Sequence, residues 1–184
     1  KPGGILIVNS AAFDDRNLDK AGYKFNPLSD PTLKERYRVH QVDMTALTLQ
    51  ALEGLPLTAK EKNRCRNFFA LGLVSWIYTR PLDASVQFIG AKFGKNPTYV
   101  EANTRVLKAG HAFGETAEIF EEAYHIEPAD LPPGLYRTMT GNKAIAWGLL
   151  AAAERAKLPL VYGAYPITPA SSVLEELAQH KRFG

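Results

Sequence analysis

The segment Val161–Val173, with the sequence VYGAYPITPASSV, restricts the backbone more than any other part of this 184-residue chain. An apolar run from Leu158 to Tyr162 leads into it and predicts a buried strand. Pro166 and Pro169 each hold the preceding residue in an extended conformation, which favours a stiff turn. Thr168 then stands before Pro169 as an N-cap residue stands before a first-turn proline. The segment predicts a strand, a turn and a helix whose free N–H groups suit an anion or a polar ligand.

Spacing alone leaves two roles open for Thr168. Its hydroxyl can cap the following helix while the prolines only shape a loop, or it can contact a bound ligand. The same choice is open for Gly141 and Asn142, which stand at the start of an alanine-rich helix. They can be a plain helix start, or they can approach a ligand.

The first third of the chain alternates strand and helix patterns. The run Ile5–Val8 is apolar throughout, as expected of a strand buried on both faces of a parallel sheet. Segment 14–31 is rich in turn-forming residues and is predicted to be irregular. A second strand is predicted over 37–42, and a short helix over 45–52. This order is typical of a βαβ array.

A capping box from Thr58 to Glu61 predicts the start of a long helix that ends at Thr79. Its residues are apolar nearly all round, which is typical of a helix that is deeply buried or lies at an interface. We therefore expect one or more of its large side chains to be covered by another chain or another part of the protein: Phe68, Phe69, Trp76 and Tyr78. Two further helices are predicted, over 83–93 and from Pro97 onward.

Composition excludes several classes of function. The net charge of +3 is mild and spread along the chain, so no nucleic-acid partner is expected. Cys65 is the single cysteine, which excludes an internal disulfide and an iron–sulfur cluster ligated by cysteines of this chain alone. The apolar runs are too short to span a bilayer, and no secretory signal is visible. A soluble, cytoplasmic protein without a membrane partner is the expectation.

A proline-rich segment over 127–135 predicts a linker between two domains. Beyond it, a strand is predicted over 136–139 and a helix from Thr140 to about Lys157. With the strand, turn and helix described first, these elements make a second β-α-β-α unit.

Two strings in this second part resemble a known family. Tyr165-Pro-Ile-Thr-Pro-Ala-Ser-Ser172, preceded by Gly141-Asn-Lys-Ala-Ile-Ala146, resembles the start of the pyrimidine-binding domain of 2-oxoacid:ferredoxin oxidoreductases. The string 67–110, with Ala70-Leu-Gly-Leu73 in it, resembles the helical tail of the gamma domain of that family. The nearest likeness is to the alpha subunit of the 2-oxoglutarate type, in which a gamma domain precedes the alpha domain.

The resemblance implies an α/β fold in two incomplete domains. Residues 1–126 would be the C-terminal part of a gamma-type α/β domain, and 127–135 the linker. Residues 136–184 would begin a pyrimidine-binding domain for thiamine diphosphate. The glycine-rich loop of the gamma domain would precede Lys1, and the glutamate that contacts the aminopyrimidine would follow Gly184. The chain is therefore interpreted as an internal piece of a longer subunit.

The implied activity is oxidative decarboxylation of a 2-oxoacid to an acyl-coenzyme A, with electrons passed to ferredoxin. The resemblance makes Thr168 the catalytic contact. It makes the following residues cofactor-binding: Tyr165, Pro166, Ile167, Pro169, Gly141 and Asn142. No metal ligand is expected in this chain. Pyruvate or a branched 2-oxoacid as substrate, and a scaffold without catalysis, stay open as alternatives.

The implied cofactors lie mostly elsewhere. Thiamine diphosphate and Mg²⁺ would be held mainly by a partner beta subunit, which would also carry a 4Fe-4S cluster. Coenzyme A would be a co-substrate. The implied partners are the beta subunit, a second alpha–beta unit, ferredoxin and the 2-oxoacid. Residues 1–184 alone are not expected to turn over any 2-oxoacid.

Overall fold

Two short parallel strands, β1 (Ile5–Asn9) and β2 (Arg38–Val42), form the sheet of the protein. Ile5 lies opposite Arg38 and Asn9 opposite Val42, so both predicted strands are confirmed. The computed structural model describes residues 1–120 and 123–183. Within these, the chain divides into one unit ending at Pro128 and a second beginning at Ala129.

Helices make up most of the first unit. Its described residues form α1 (Asp15–Lys20), α2 (Pro31–Arg36), α3 (Met44–Ala51), α4 (Ala59–Arg64), α5 (Arg66–Ile77), α6 (Asp83–Phe93) and α7 (Pro97–Thr116). The parallel strand pair with these helices confirms the α/β class in its coarse form. No helix in the part of the chain that the structure describes is both long and apolar enough to cross a membrane.

The core of the first unit lies where α5 packs against α7. Phe69 and Leu73 of α5 are buried against Val106 of α7, on the faces that the spacing predicts. Gly72 lies against the carbonyl oxygen of Leu107, so the two backbones touch without intervening side chains. The helices can approach this closely only because glycine has no Cβ.

Two predictions in this unit are wrong in part. Segment 14–31 contains α1, because Asp14 caps that helix by accepting from the Asn17 N–H at 2.8 Å. The single helix predicted from Lys60 to Thr79 is two helices that meet at Cys65. The Cys65 N–H bonds to the Lys62 oxygen at 3.0 Å, a tighter turn than that of an α-helix.

The second unit contains α8 (Gly141–Ala156) and α9 (Ser171–Gln179). Ala146 of α8 is buried with Val173 and Leu177 of α9. Thr140 caps α8 by accepting from the Lys143 N–H at 3.3 Å, as its position predicts.

The strands predicted over 136–139 and 158–162 are absent from the described residues. A strand persists only when its N–H and C=O groups pair with a neighbour, and no neighbouring strand lies in the described part of this unit. The second β-α-β-α unit is therefore a helix pair joined by irregular chain. Positions 121, 122 and 184 of the predicted domains lie outside the described residues, and the identity of the two domains stays a prediction.

Candidate functional site

The start of α8 and the turn before α9 are held together by the side chain of Asn142. Its Nδ2 donates to the Pro169 carbonyl oxygen at 2.8 Å and to the Ser172 Oγ at 2.7 Å. The Ser172 hydroxyl in turn donates to the Pro169 oxygen at 2.9 Å. Two segments that are 27 to 30 residues apart in sequence, and that were singled out separately, thus form one site.

Thr168 does not cap α9, so the first of the two roles that its spacing leaves open does not apply. The N-cap position belongs to Ala170, two residues later, which has no side chain able to cap. The Thr168 side chain is exposed and forms no hydrogen bond with residues that the structure describes. Its hydroxyl is therefore available to a molecule at the surface of this turn.

The N–H groups at the start of α9 are not free, which corrects the expectation of an anion site there. The Ser171 N–H bonds to the Ile167 oxygen at 3.3 Å, and the Ser172 N–H to the Pro169 oxygen at 3.2 Å. The Val173 N–H bonds to the Ala170 oxygen at 3.1 Å. A helix start binds anions through unpaired N–H groups, and here the turn has already paired them.

The surface beside Asn142 combines an open backbone with apolar side chains. No heavy atom beyond its chain neighbours lies within 4 Å of where a Cβ would stand on Gly141, so a ligand can approach the backbone there. Tyr165 is 81% exposed and Ile167 is 60% exposed, although both are large and apolar. Pro166 and Pro169 are exposed beside them. The turn can thus present apolar side chains and the Thr168 hydroxyl to a partner molecule.

A second polar cluster, centred on Glu176, fastens α9 to α8 next to this site. Its Oε1 accepts from Trp147 Nε1 at 2.8 Å and lies 3.1 Å from Lys143 Nζ and 3.2 Å from His180 Nε2. The hydrogen bond from Trp147, followed by that from Lys143, holds the pKa of Glu176 below its ordinary value. The carboxylate therefore stays ionised at neutral pH and fixes the distance between the helices.

The Glu176 cluster did not enter the sequence analysis, although a signal for it exists. Lys143 and Trp147 are four residues apart, as are Glu176 and His180, so each pair lies on one helix face. The spacing does not predict that these two helix faces contact each other. That contact follows from the packing of α8 on α9.

No three His, Cys, Asp or Glu side chains within residues 1–120 and 123–183 lie close enough together to hold a metal ion. The predicted cofactor-binding residues are brought together by the structure around Asn142 and the 165–169 turn. Whether any of them contacts a cofactor stays a prediction.

Comparison with known proteins gives two sequence matches. A family profile described as pyruvate ferredoxin/flavodoxin oxidoreductase matches residues 1–113. The 2-oxoglutarate oxidoreductase subunit KorA of Mycobacterium tuberculosis is 51% identical to the chain over 181 residues. That alignment covers 98% of the chain but 28% of the relative, so the chain spans less than a third of the length of that protein.

A solved structure agrees in fold. The 2-oxoglutarate:ferredoxin oxidoreductase from Magnetococcus marinus, with 2-oxoglutarate, coenzyme A and succinyl-CoA bound, superposes on the chain with a TM-score of 0.62. The match covers 99% of the chain and 27% of that structure, at 22% sequence identity. At this identity the likeness establishes a shared fold and nothing about residues or ligands.

Proposed function

Because this chain belongs to the pyruvate ferredoxin/flavodoxin oxidoreductase family, we propose that it is part of the alpha subunit of a 2-oxoglutarate:ferredoxin oxidoreductase. Its identity of 51% to a 2-oxoglutarate oxidoreductase subunit supports this substrate within the family. The proposed reaction is the oxidative decarboxylation of 2-oxoglutarate, with coenzyme A as acyl acceptor and ferredoxin as electron acceptor.

The observation that carries the proposed site is the bridge from Asn142 to Pro169 and Ser172. The amide uses both of its N–H groups on the far segment, so it can fix the turn relative to the start of α8. The turn residues then stand in a set position beside the open backbone of Gly141.

The residues present fit one side of a thiamine diphosphate site. Exposed apolar side chains at Tyr165 and Ile167 suit the face of a heterocycle, and the bare backbone at Gly141 suits close approach. As the family resemblance implies, Mg²⁺ and the diphosphate are assigned mainly to a beta subunit, together with the 4Fe-4S cluster. When bound, thiamine diphosphate supplies the electron sink for the decarboxylation.

We assign a role to each predicted residue of the 165–169 turn and to Asn142. The Thr168 hydroxyl forms a hydrogen bond with the substrate or the cofactor near the carbon that reacts. The exposed side chains of Tyr165, Pro166, Ile167 and Pro169 exclude water from that position, which strengthens the hydrogen bond. Asn142 is a positioning residue, since its bonds go to the protein.

The proposed arrangement keeps the domains predicted from the sequence. Residues 1–126 belong to a gamma-type domain, 127–135 to a linker, and 136–184 to the start of a pyrimidine-binding domain. The proposed partners are the beta subunit, a second alpha–beta unit and ferredoxin. The cytoplasmic location stays a prediction.

The test is an assay of the complete alpha subunit, produced together with its beta subunit, with ferredoxin and coenzyme A. We expect kcat/KM for 2-oxoglutarate to exceed that for pyruvate and for a branched 2-oxoacid by at least about tenfold. The 184-residue chain alone should reduce no ferredoxin, and reduction by the pure chain would contradict the proposal.

Pyruvate is the second candidate substrate, because the matching family profile is described by pyruvate. A preference for pyruvate in the same assay would leave the family and the site in place and correct the substrate. Absence of turnover with every 2-oxoacid, in an assembled enzyme loaded with thiamine diphosphate, would favour the scaffold alternative.

A further inference from the structure

A cavity of about 160 Å³ lies between α4, α5, α6 and α7 of the first unit, and none of its lining residues belongs to the proposed substrate and cofactor site. It is lined by Glu61, Arg64, Cys65, Phe68, Phe93, Tyr99 and Asn103. An engineered protein cavity of about 150 Å³ binds benzene. The space therefore suits one six-membered ring with a small substituent.

Asn103 gives the cavity a polar group without a protein partner. The residue is only 5% exposed, and its side-chain amide forms no hydrogen bond with the described part of the chain. Neither amide atom is fully enclosed, so the amide is open to the cavity, where water or a ligand can supply the hydrogen-bond partners that it lacks within the protein. An amide presents an N–H donor beside a C=O acceptor, and another amide edge complements both at once.

The carboxylate of Glu61 and the hydroxyl of Tyr99, two polar groups of the wall, already have partners within the protein. Glu61 Oε2 accepts from the Thr58 N–H at 2.8 Å and from the Thr58 hydroxyl at 2.6 Å, and Oε1 accepts from the Tyr99 hydroxyl at 2.5 Å. These bonds, that of the Thr58 side chain first, lower the pKa of Glu61 to about 2, so the carboxylate is charged at neutral pH. Arg64 supplies the opposite charge at the same cavity. The pair favours a neutral ligand over an ion.

The remaining walls are apolar or unreactive. Phe68 and Phe93 meet edge to face, with ring centroids 6.1 Å apart, and leave aromatic surface toward the cavity. Burial, and then the Glu61 charge, raise the pKa of the Cys65 thiol, which is therefore neutral and a poor nucleophile at pH 7. The cavity therefore suits non-covalent binding, because its one thiol is a poor nucleophile.

We propose that this cavity binds a neutral, single-ring molecule whose carboxamide-type edge pairs with the side chain of Asn103. The ring would lie against Phe68 and Phe93. This inference goes beyond the proposed function, since it involves no residue of the second unit and no part of the decarboxylation.

The test compares how two probes of equal size bind to the 184-residue chain. Binding is measured from the NMR chemical shifts of the backbone amides. Benzamide carries the N–H donors that Asn103 requires, and acetophenone has the same shape without them. We expect benzamide to shift the amides of Cys65, Phe93 and Asn103 saturably, with a dissociation constant on the order of a millimolar for a ligand of this size. Acetophenone should bind about tenfold more weakly.

Asn103→Leu replaces the amide by an apolar group of similar size, and it should remove the preference for benzamide over acetophenone. Lys108→Leu, at an exposed position on the same helix outside the cavity, is the matched control and should leave that preference intact. Equal binding of both probes to the unaltered chain, or no saturable shift with benzamide, would overturn the proposal. A folded Asn103→Leu chain that keeps the preference would do the same. If that variant does not fold, the comparison of the two probes in the unaltered chain decides.

Discussion

At the scale of single residues, a mutation of Thr168 can distinguish an effect on turnover from an effect on the stability of the fold. Because Ala170 rather than Thr168 is the N-cap of α9, loss of the hydroxyl should not weaken the helix. Any effect of its removal on turnover would therefore report on the proposed contact with substrate.

Thr168→Ala in the complete, cofactor-loaded enzyme should lower turnover by about ten- to a hundredfold, from the loss of about 1.5–3 kcal/mol in the transition state. The free energy of unfolding should change by no more than about 0.5 kcal/mol, as for other surface positions. Serine should restore only part of the turnover, because its hydroxyl rotates more freely. Steady-state kinetics and urea unfolding measure the two quantities.

Thr58→Ala is the matched control, since Thr58 does cap its helix by accepting from the Glu61 N–H. It should cost about 0.5–2 kcal/mol of stability and leave turnover unchanged. Turnover of the Thr168→Ala enzyme within about twofold of the unaltered enzyme would show that the hydroxyl has no role in the reaction.

Glu61 makes the stability of the first unit depend on pH in the acid range. Its pKa is lowered from 4.5 to about 2 in the folded chain, chiefly by the Thr58 hydroxyl. The folded state therefore binds this proton less readily than the unfolded state does. The resulting stabilisation is complete above pH 4.5 and is lost as pH falls toward 2.

Urea unfolding between pH 2 and 6 should show this loss in the unaltered chain and less of it in Glu61→Gln. Glu115→Gln makes the same change at an exposed glutamate of α7 and serves as the matched control. A Glu61→Gln chain with the same pH profile as the unaltered one would contradict the assignment.

At the scale of elements, the contact between α5 and α7 depends on two glycines. A Cβ on Gly110 would overlap the Phe69 carbonyl oxygen, and one on Gly72 would overlap that of Leu107. Both partners are helix backbone, which cannot turn aside as a side chain can. The two helices would have to separate to admit a methyl group.

Gly110→Ala should therefore destabilise the chain by about 1–3 kcal/mol or more. Gly90→Ala in α6 is the matched control, because no atom lies within 4 Å of its added Cβ. It should stabilise the chain by about 0.5–1 kcal/mol, since alanine favours a helix over glycine. Thermal and urea unfolding test both, and a neutral Gly110→Ala would mean that the helices are not in backbone contact.

The elements that the sequence predicted well are those specified by neighbours in the chain. Thr58, Asn96 and Thr140 each cap a helix through a bond to an N–H two or three residues later. The break at Cys65 and the N-cap residue of α9 were missed because they depend on how the turns pair their own N–H groups.

The strands over 136–139 and 158–162 failed for a different reason. Their apolar pattern is real, yet a strand also needs a partner strand, which a local pattern does not contain. The site shows the same division. Its residues could be named from two strings, but the bridge by Asn142 and the cluster around Glu176 required the packing of α8 on α9.

At the scale of the whole molecule, apolar surface on the first unit indicates an interface. Leu71 and Val74 of α5, and Tyr78 directly after it, are 39%, 43% and 40% exposed. Phe69 is buried within the unit, whereas Phe68 and Trp76 are only partly so. The expectation that another part of the protein covers this helix therefore stays a prediction, now centred on these three residues.

Val74→Asp should reduce assembly of the complete enzyme by at least about tenfold, because it places a charge in a surface that would be covered. In the 184-residue chain, where this face is exposed, it should cost about 1 kcal/mol or less. Lys108→Asp on α7 is a control for the change of charge. Size-exclusion chromatography measures assembly. Normal assembly of the Val74→Asp enzyme would contradict the prediction that another part of the protein covers this face.

The bridge by Asn142 also makes the site sensitive to chemical ageing. Deamidation would convert the side chain into a carboxylate, and both N–H donors would become acceptors. The new oxygen would face the Pro169 oxygen, itself an acceptor, so that bond would be lost, and only the Ser172 hydroxyl could still donate to the side chain. Because Asn142 does not belong to the buried core, both helices could persist while the turn before α9 is released. An enzyme deamidated at Asn142 should accordingly lose activity before it loses helix content, which peptide mass spectrometry of that side chain and circular dichroism would test together.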